Sequence, residues 1–254
     1  MDPEYENKRR GLEKNYWLFR ARRELVVELI HQNGLETSSR ILDIGCGGGY
    51  LAALLEDVGS NAVFGLDISE RAVDFCRQRG MRNIFRGDGA RLALADGVLD
   101  AVVAVDVLEH LTADAAALRE WSRLLKEEGR LIITVPAFKF LWSGHDEVCY
   151  HFRRYSKAVL VNLLQEAGFV PQRVSFWNFS LFFPLCLIRI FRKLFPGGHS
   201  GPDDRLYILP TPVNNILLGL LRLENRFLNW MDFPVGISLF VVARKSAKNV
   251  PQQN

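Results

Sequence analysis

The stretch ILDIGCGGGY, residues 41–50, sets the tightest limit on what this chain can fold into. Four glycines fall within five positions, directly behind a short apolar run. An unbroken apolar run reads as a buried strand, and the glycines behind it read as a sharp turn into a helix. Glycine tolerates unusual dihedrals and puts no side chain in front of the backbone. The N–H groups at the helix start therefore stay open to a flat or charged ligand.

The rest of the chain repeats that strand-to-helix step. Apolar runs at 62–68, 83–88, 99–107, 129–137, 169–177 and 236–245 predict strands, and helical spacing predicts helices over 50–58, 69–79, 113–126 and 156–167. Short apolar strands separated by helices imply a mostly parallel sheet covered on both faces. Before the glycines, residues 16–33 place apolar groups at 25, 26, 29 and 30 and stop at Asn33-Gly34, so residues 1–34 are expected to form a helical extension. Residues 177–235 break the alternation. This insert opens with SLFFPLCLIRIFRKLFPGG, passes a Gly/Pro/Asp loop at 196–204 and resumes with NNILLGLLRLENRFLNW. Its apolar run is interrupted by Asn178, Ser180 and Pro184 and is too short for a membrane span of about 20 residues. It is expected to be a helical cap or an interfacial segment on a single domain covering 1–254.

The glycines alone leave two ligand readings. A dinucleotide fingerprint starting at Gly45 fails because Tyr50 stands where the last glycine belongs, yet Gly47, Gly49 and Ala52 satisfy the looser G-x-G-x-x-A form. Asp43 weighs against a pyrophosphate, since a carboxylate beside the turn repels it while attracting an ammonium group.

Asp43, Gly45, Gly47 and Gly49 form D-x-G-x-G-x-G, and here the chain resembles the class I S-adenosylmethionine-dependent methyltransferases, in particular a bacterial type 11-like branch. The resemblance runs over roughly 35–175 and continues through GLDIS, RGDGA, VVAVDVLEHL and GRLIITVP in order. It implies an α/β, Rossmann-like, doubly wound seven-stranded sheet, mostly parallel with an antiparallel last strand. It also implies S-adenosyl-L-methionine as cofactor and S-adenosyl-L-homocysteine as product. Asp67, with Ile68 beside it, would take the ribose hydroxyls; Asp88 and Gly89 would meet the adenine, and Asp106 would lie beside the sulfonium. The N-terminal YWLFRARRELV resembles a segment that puts Trp17, Phe19 or Arg22 over the cofactor.

Transfer of a methyl group is an in-line displacement, favoured by alignment and exclusion of water, and a hydroxyl acceptor gains from a base. The candidates are His110, His145 and His151; His31 precedes the core and His199 lies in the insert's loop. SGHDEVCYHFRRYS, 143–156, gathers histidines, acids, arginines and tyrosines just after the fifth strand, whose end faces the ligand crevice in such sheets. His145 or His151 as base, with Arg153, Arg154 and Tyr155 holding an anionic part of the acceptor, is one expectation. A polar network ordering the next helix is the other. Asp106, Glu109 and His110 form D-x-x-E-H, comparable to a metal-associated cluster in ubiquinone-pathway O-methyltransferases, but further ligands are missing nearby and no metal is expected.

The charge of +3 is C-terminal in origin: residues 171–254 carry 10 Lys+Arg against 4 Asp+Glu. That excess is too slight for a nucleic-acid enzyme, and the fourth motif lacks the N/D-P-P-Y/F signature of many DNA amino-methylating enzymes. The expected acceptor is small, lipid-linked or glycan-like and methylated on oxygen. Arg189, Arg192 and Lys193 beside the insert's apolar run suggest peripheral contact with anionic headgroups. Four scattered cysteines form no C-x-x-C pair, and the charged MDPEYENKRRGLEK lacks an export signal, which together point to the cytoplasm, at the inner face of the membrane where the insert makes contact. A nicotinamide-type oxidoreductase and a non-catalytic nucleoside-binding module are the competing readings.

Overall fold

Ile41–Ile44 (β1) is buried at every position, and it lies inside the sheet, where both faces of a strand are covered. It pairs in parallel with Val63–Asp67 (β2) on one side and Leu99–Val105 (β4) on the other. Ile84–Arg86 (β3) extends the sheet beyond β2, and Leu125–Pro136 (β5) extends it beyond β4, both in parallel. Ser238–Lys245 (β7) then runs antiparallel between β5 and Phe169–Trp177 (β6). The resulting order, β3-β2-β1-β4-β5-β7-β6, is the expected seven-stranded, mostly parallel sheet with an antiparallel last strand. The computed structural model describes residues 3–60, 62–194 and 209–247.

The period-2 geometry of a strand sends alternate residues to opposite cores. Val102 and Ala104 of β4 join one cluster, with Trp121 of Asp114–Leu124 (α5) and Leu160 of Lys157–Glu166 (α7). Ala101 and Val103 join the other, with Leu25 and Leu29 of Trp17–Gln32 (α2), Leu55 of Tyr50–Asp57 (α3) and Leu218 and Leu221 of Thr211–Phe227 (α9). The remaining helices are Pro3–Glu13 (α1), Glu70–Gln78 (α4), Gly144–Val148 (α6) and Phe182–Leu194 (α8).

Three features depart from the sequence reading. The N-terminal extension is two helices, because the polar 3–13 segment also becomes helical. The fifth strand begins at Leu125, four residues early, with Glu128 at φ +64° and a register shift opposite Leu99/Ala101 marking a bulge. Among the described residues, none of the insert lines the crevice over the glycine turn. Its α9 lies on α2, held by Leu218 and Leu221, by the Asn225 side-chain amide donating to the Ala21 carbonyl at 2.9 Å, and by an ion pair between Arg222 and Glu24. Those residues form a face that completes the hydrophobic layer over the sheet, so burial rather than ligand closure fixes its place. The 196–204 loop with His199, and the side chains of Arg192 and Lys193, lie outside the described residues.

Candidate active site

The turn between β1 and α3 is built as its glycines require. Gly45 has φ +71°, and a Cβ there would stand 2.5 Å from Val107 Cγ2, so neither the dihedral nor the space admits a side chain. Asp67, at the end of β2, closes the turn: one carboxylate oxygen accepts the Gly47 N–H at 2.9 Å and the other accepts the Ser69 N–H at 2.8 Å. Ser69 in turn caps α4 by accepting from Ala72 N–H at 3.3 Å. Asp43 is buried behind the turn. Burial, with Asp67 and Glu13 nearby, holds its carboxyl well above the usual range.

A cavity of about 480 Å³ opens over this turn, within the range of small-molecule sites. Asp67, Ile68, Asp88 and Gly89 line one end, and Asp106, His110, Tyr150 and Phe152 line the other. Arg9, Arg10 and Glu13 of α1 complete the wall. Gly89 is fixed through its carbonyl, which accepts the indole N–H of Trp121 at 2.7 Å, while Asp88 accepts the Ala90 N–H at 2.9 Å. A smaller recess behind the turn is lined by Phe19, Arg22 and Asp43.

Behind His110 lies a buried polar cluster. The His151 ring meets the His110 ring edge-on, centroids 4.6 Å apart. Its Nδ1 lies 2.8 Å from Asp146, which fixes the ring and leaves Nε2 facing Glu109 at 3.9 Å. Asp146 also accepts two bonds from the Arg154 guanidinium, at 2.8 and 2.9 Å, and one from the Ser143 backbone N–H at 2.9 Å. Burial alone would raise the Asp146 carboxyl; the His151 and Arg154 bonds overcome it and hold it below the usual carboxylate range. Glu109 is fully buried and neither of its carboxylate oxygens has a hydrogen-bond partner. Burial pushes its carboxyl up to about 8. Burial, with His151 and Arg9 nearby, pushes His110 down to about 3, so its ring is neutral at pH 7. The ligand atoms of Glu109, His110 and His151 lie within 4.8 Å of one another, close enough to hold a cation.

The family described as "Methyltransferase domain" matches residues 42–133, from β1 through most of β5. Residues 42–133 are therefore similar to a methyltransferase domain. The chain is 36% identical over 160 residues to a probable S-adenosylmethionine-dependent methyltransferase of Mycolicibacterium smegmatis, covering 62% of this chain and 60% of that protein. It is 31% identical over 102 residues to a ubiquinone biosynthesis O-methyltransferase of Xanthomonas oryzae, covering 38% of this chain and 42% of that protein. Thus the match spans about three fifths of the mycobacterial relative's length. In fold the protein is similar to a chain of the Haloferax volcanii complex of the Trm112 methyltransferase activator with its partner, at TM-score 0.64 and 18% identity, covering 97% of this chain and 96% of that one. It is also similar to the [4+2]-cyclase SpnF, at TM-score 0.58 and 21% identity, covering 89% and 81%.

Within the matched region, Gly45, Gly47, Asp67, Ile68, Asp88, Gly89 and Asp106 gather on one cavity. Gly49 stands just behind them, at the start of α3. Other residues are placed elsewhere. Trp17 is buried between α2 and α9, its backbone N–H donating to the Asn214 side chain at 3.0 Å, so it does not cover the cavity. Arg22 stays behind the turn, ion-paired to Asp106 and packed over the Trp177 ring at 5.2 Å. Burial pushes it down to about 10. Asp106 is held by Arg22 and by the Thr134 hydroxyl at 2.9 Å, so it does not join Glu109 and His110; His151 does instead. Of the three candidate bases, only His110 lines the cavity. His145 lies beside Cys149, Nε2 to Sγ 3.7 Å, with its ring 6.0 Å from that of His151.

Of the two expectations for Arg153, Arg154 and Tyr155, the contacts in the structure are those of a polar network. Arg153 bonds Asp114 and the Thr112 carbonyl, both at 2.8 Å; Arg154 holds Asp146 and the Ala137 carbonyl; and the buried Tyr155 hydroxyl donates to Asp114 at 2.9 Å. These contacts order the segment between β5 and α7, because buried polar groups need partners. The sequence reading missed Arg9, Glu13 and Asp146. Asp146 carried a signal in the S-x-x-D spacing from Ser143, a capping box.

Proposed function

We propose that the chain transfers a methyl group from S-adenosylmethionine to an oxygen of a small, lipid-linked or glycan-like acceptor. The observation that carries this reading is one cavity in which a bare glycine turn, two strand-end carboxylates and a neutral imidazole converge. The residues fit the cofactor. A carboxylate has about four acceptor sites, and the turn uses two of those on Asp67, leaving acceptor capacity for a pair of ribose hydroxyls. Asp88 and Gly89 bound the far end, where an adenine amino group would meet a carboxylate.

The bound cofactor supplies an electrophilic methyl group on a cationic sulfur. The protein's part is alignment and exclusion of water, from Val107 and Leu111 on one wall and Tyr150 and Phe152 on the other. His110 faces the cavity in its neutral form and accepts the acceptor's proton. Its partner His151, oriented by Asp146, keeps a second imidazole within reach. The ubiquinone biosynthesis O-methyltransferases among its relatives support oxygen as the methylated atom. The exposed Phe183, Leu187 and Phe191 of α8 and Trp230, 84% exposed, support contact with a membrane surface. No described helix is long and apolar enough to cross a membrane. Sedimentation with anionic vesicles checks that contact, and protein left in the supernatant counts against it.

Calorimetric titration with S-adenosylhomocysteine, with NAD in parallel, tests the core of the reading. Saturable binding of the former alone, abolished in Asp67→Ala, is expected. Binding of NAD alone would move the assignment to a nicotinamide enzyme.

A further inference from the structure

The first helix was visible in sequence only as a charged segment, yet it forms part of the cavity wall. Arg9 and Glu13 stand four residues apart, hence on one face of α1, and both line the cavity. The Glu13 carboxylate reaches the glycine turn itself. One oxygen accepts the Gly48 N–H at 3.1 Å, and the other lies 2.7 Å from where a Cβ on Gly47 would be. The joint behind it is fixed by Arg23, which donates to the main-chain carbonyls of Glu13 at 2.6 Å and Lys14 at 2.9 Å. Arg9 lies with its guanidinium 5.5 Å from the centre of the Phe19 ring.

Charge at this end of the cavity is arranged in two signs. Glu13, Asp67 and the buried Asp43 surround the turn, and burial leaves Glu13 raised from its ordinary value although Arg9, the Gly48 N–H and Arg23 pull it down. A cation placed among these carboxylates relieves their repulsion and the desolvation of Glu13. Arg9 offers the opposite charge one turn earlier. A positive and a negative group side by side are the complement of a zwitterion, which a nucleoside lacks and an α-amino acid has.

We propose that α1 recognises the amino-acid end of the cofactor, Glu13 taking the α-ammonium and Arg9 the α-carboxylate. This assignment rests on the S-adenosylmethionine reading above. It makes α1 the element that separates the intact cofactor from nucleosides sharing its adenosine.

Calorimetry with two ligands tests it. S-adenosylhomocysteine carries the amino-acid end; 5′-methylthioadenosine keeps the nucleoside and the thioether but lacks that end. Glu13→Gln is nearly isosteric and keeps an acceptor for the Gly48 N–H. It is expected to weaken S-adenosylhomocysteine by at least about tenfold, since a charged hydrogen bond is lost, and to leave methylthioadenosine within about twofold. Arg9→Met is expected to act in the same direction on the same ligand. Thermal melts of both variants show whether they are folded. Unchanged or tighter binding of S-adenosylhomocysteine by Glu13→Gln overturns the proposal, the latter showing that Glu13 competes for the turn. Equal weakening of both ligands also overturns it, by making Glu13 a support for the turn alone. If the unmutated protein binds neither ligand, the cofactor reading fails instead.

Discussion

At the β1–β3 end of the cavity the contacts are made by backbone and by carboxylates at strand ends, whereas at the β4–β5 end they rest on buried side chains that hold one another. The first end is set by chain geometry. Gly45 stands where no side chain fits, and Asp67 bonds main-chain N–H groups on both sides of its own strand end. The second end depends on pairs that must all be present: Arg22 with Asp106, His151 with Asp146, Arg154 with Asp146, and Arg153 with Asp114. The two designs fail differently. Loss of one interaction at the first end is expected to weaken binding of the proposed cofactor. Loss of one partner at the second leaves a buried charge or dipole unpaired, which costs far more than the contact itself contributed.

The division of labour is broken first at His110, the one candidate base on the cavity. His110→Ala is expected to lower turnover on an identified acceptor by about 10²–10⁴-fold, the usual contribution of general base catalysis, with affinity for S-adenosylhomocysteine within about threefold. Rate and affinity falling together would mean that the two ends are not separable. Asp146→Ala comes next. It removes the acceptor of His151 and of both Arg154 bonds, so a stability loss of about 3–5 kcal/mol is expected by denaturant titration at pH 7, because a buried guanidinium loses its partner. The folded Asp146 carboxyl lies below its ordinary value, so its contribution is present above that value and fades as pH falls through the acid range. A loss under about 1 kcal/mol would show that solvent already reaches the cluster.

The same contrast explains what was legible in the chain. The first end follows from local chemistry: a glycine has its dihedral wherever the turn is, and an acid ending a strand stays at that strand's end. D-x-G-x-G-x-G, GLDIS and RGDGA therefore mark residues that come together on one wall of the cavity. The mostly parallel sheet covered on both faces was legible for a related reason, since short apolar strands alternating with helices pack that way. The second end depends on which distant groups meet. Nothing in the spacing of Arg153 and Arg154 shows that Asp114 and Asp146 await them, so two arginines beside a crevice read as ligands for an anion. Asp106, Glu109 and His110 share a helical spacing in sequence, but the left-handed dihedral of Asp106, φ +53°, turns it toward Arg22 and Thr134 instead. The insert's break in the strand–helix alternation suggested a cap or an interfacial segment; in the fold, Leu218 and Leu221 of α9 cover the sheet beside α2. The polar α1 has no apolar stripe to mark it, so its position over the glycine turn is visible only in three dimensions.

The smallest effect concerns Glu109, and its sign separates a functional carboxyl from a merely tolerated one. In the unfolded chain this group titrates near 4.5, and in the fold near 8. Below the lower value both states hold the proton and stability is complete. Between the two values the unfolded state has released its proton while the folded state keeps it, so stability falls as pH rises, and above the higher value it levels off. His110 works in the opposite sense, with its folded value near 3 against 6.5, so its contribution is lost as pH falls below about 6.5. The two slopes oppose each other at acid pH and leave Glu109 alone above it. Glu109→Gln has no proton to lose. Relative to the unmutated protein it is expected to gain up to about 2 kcal/mol of stability between pH 6.5 and 8, read as converging or crossing melting curves. A constant difference across that range would mean that Arg22, already its neighbour, carries enough charge to keep Glu109 ionised in the fold. The second end of the cavity would then be an ion network throughout, with no neutral acid held behind the histidines.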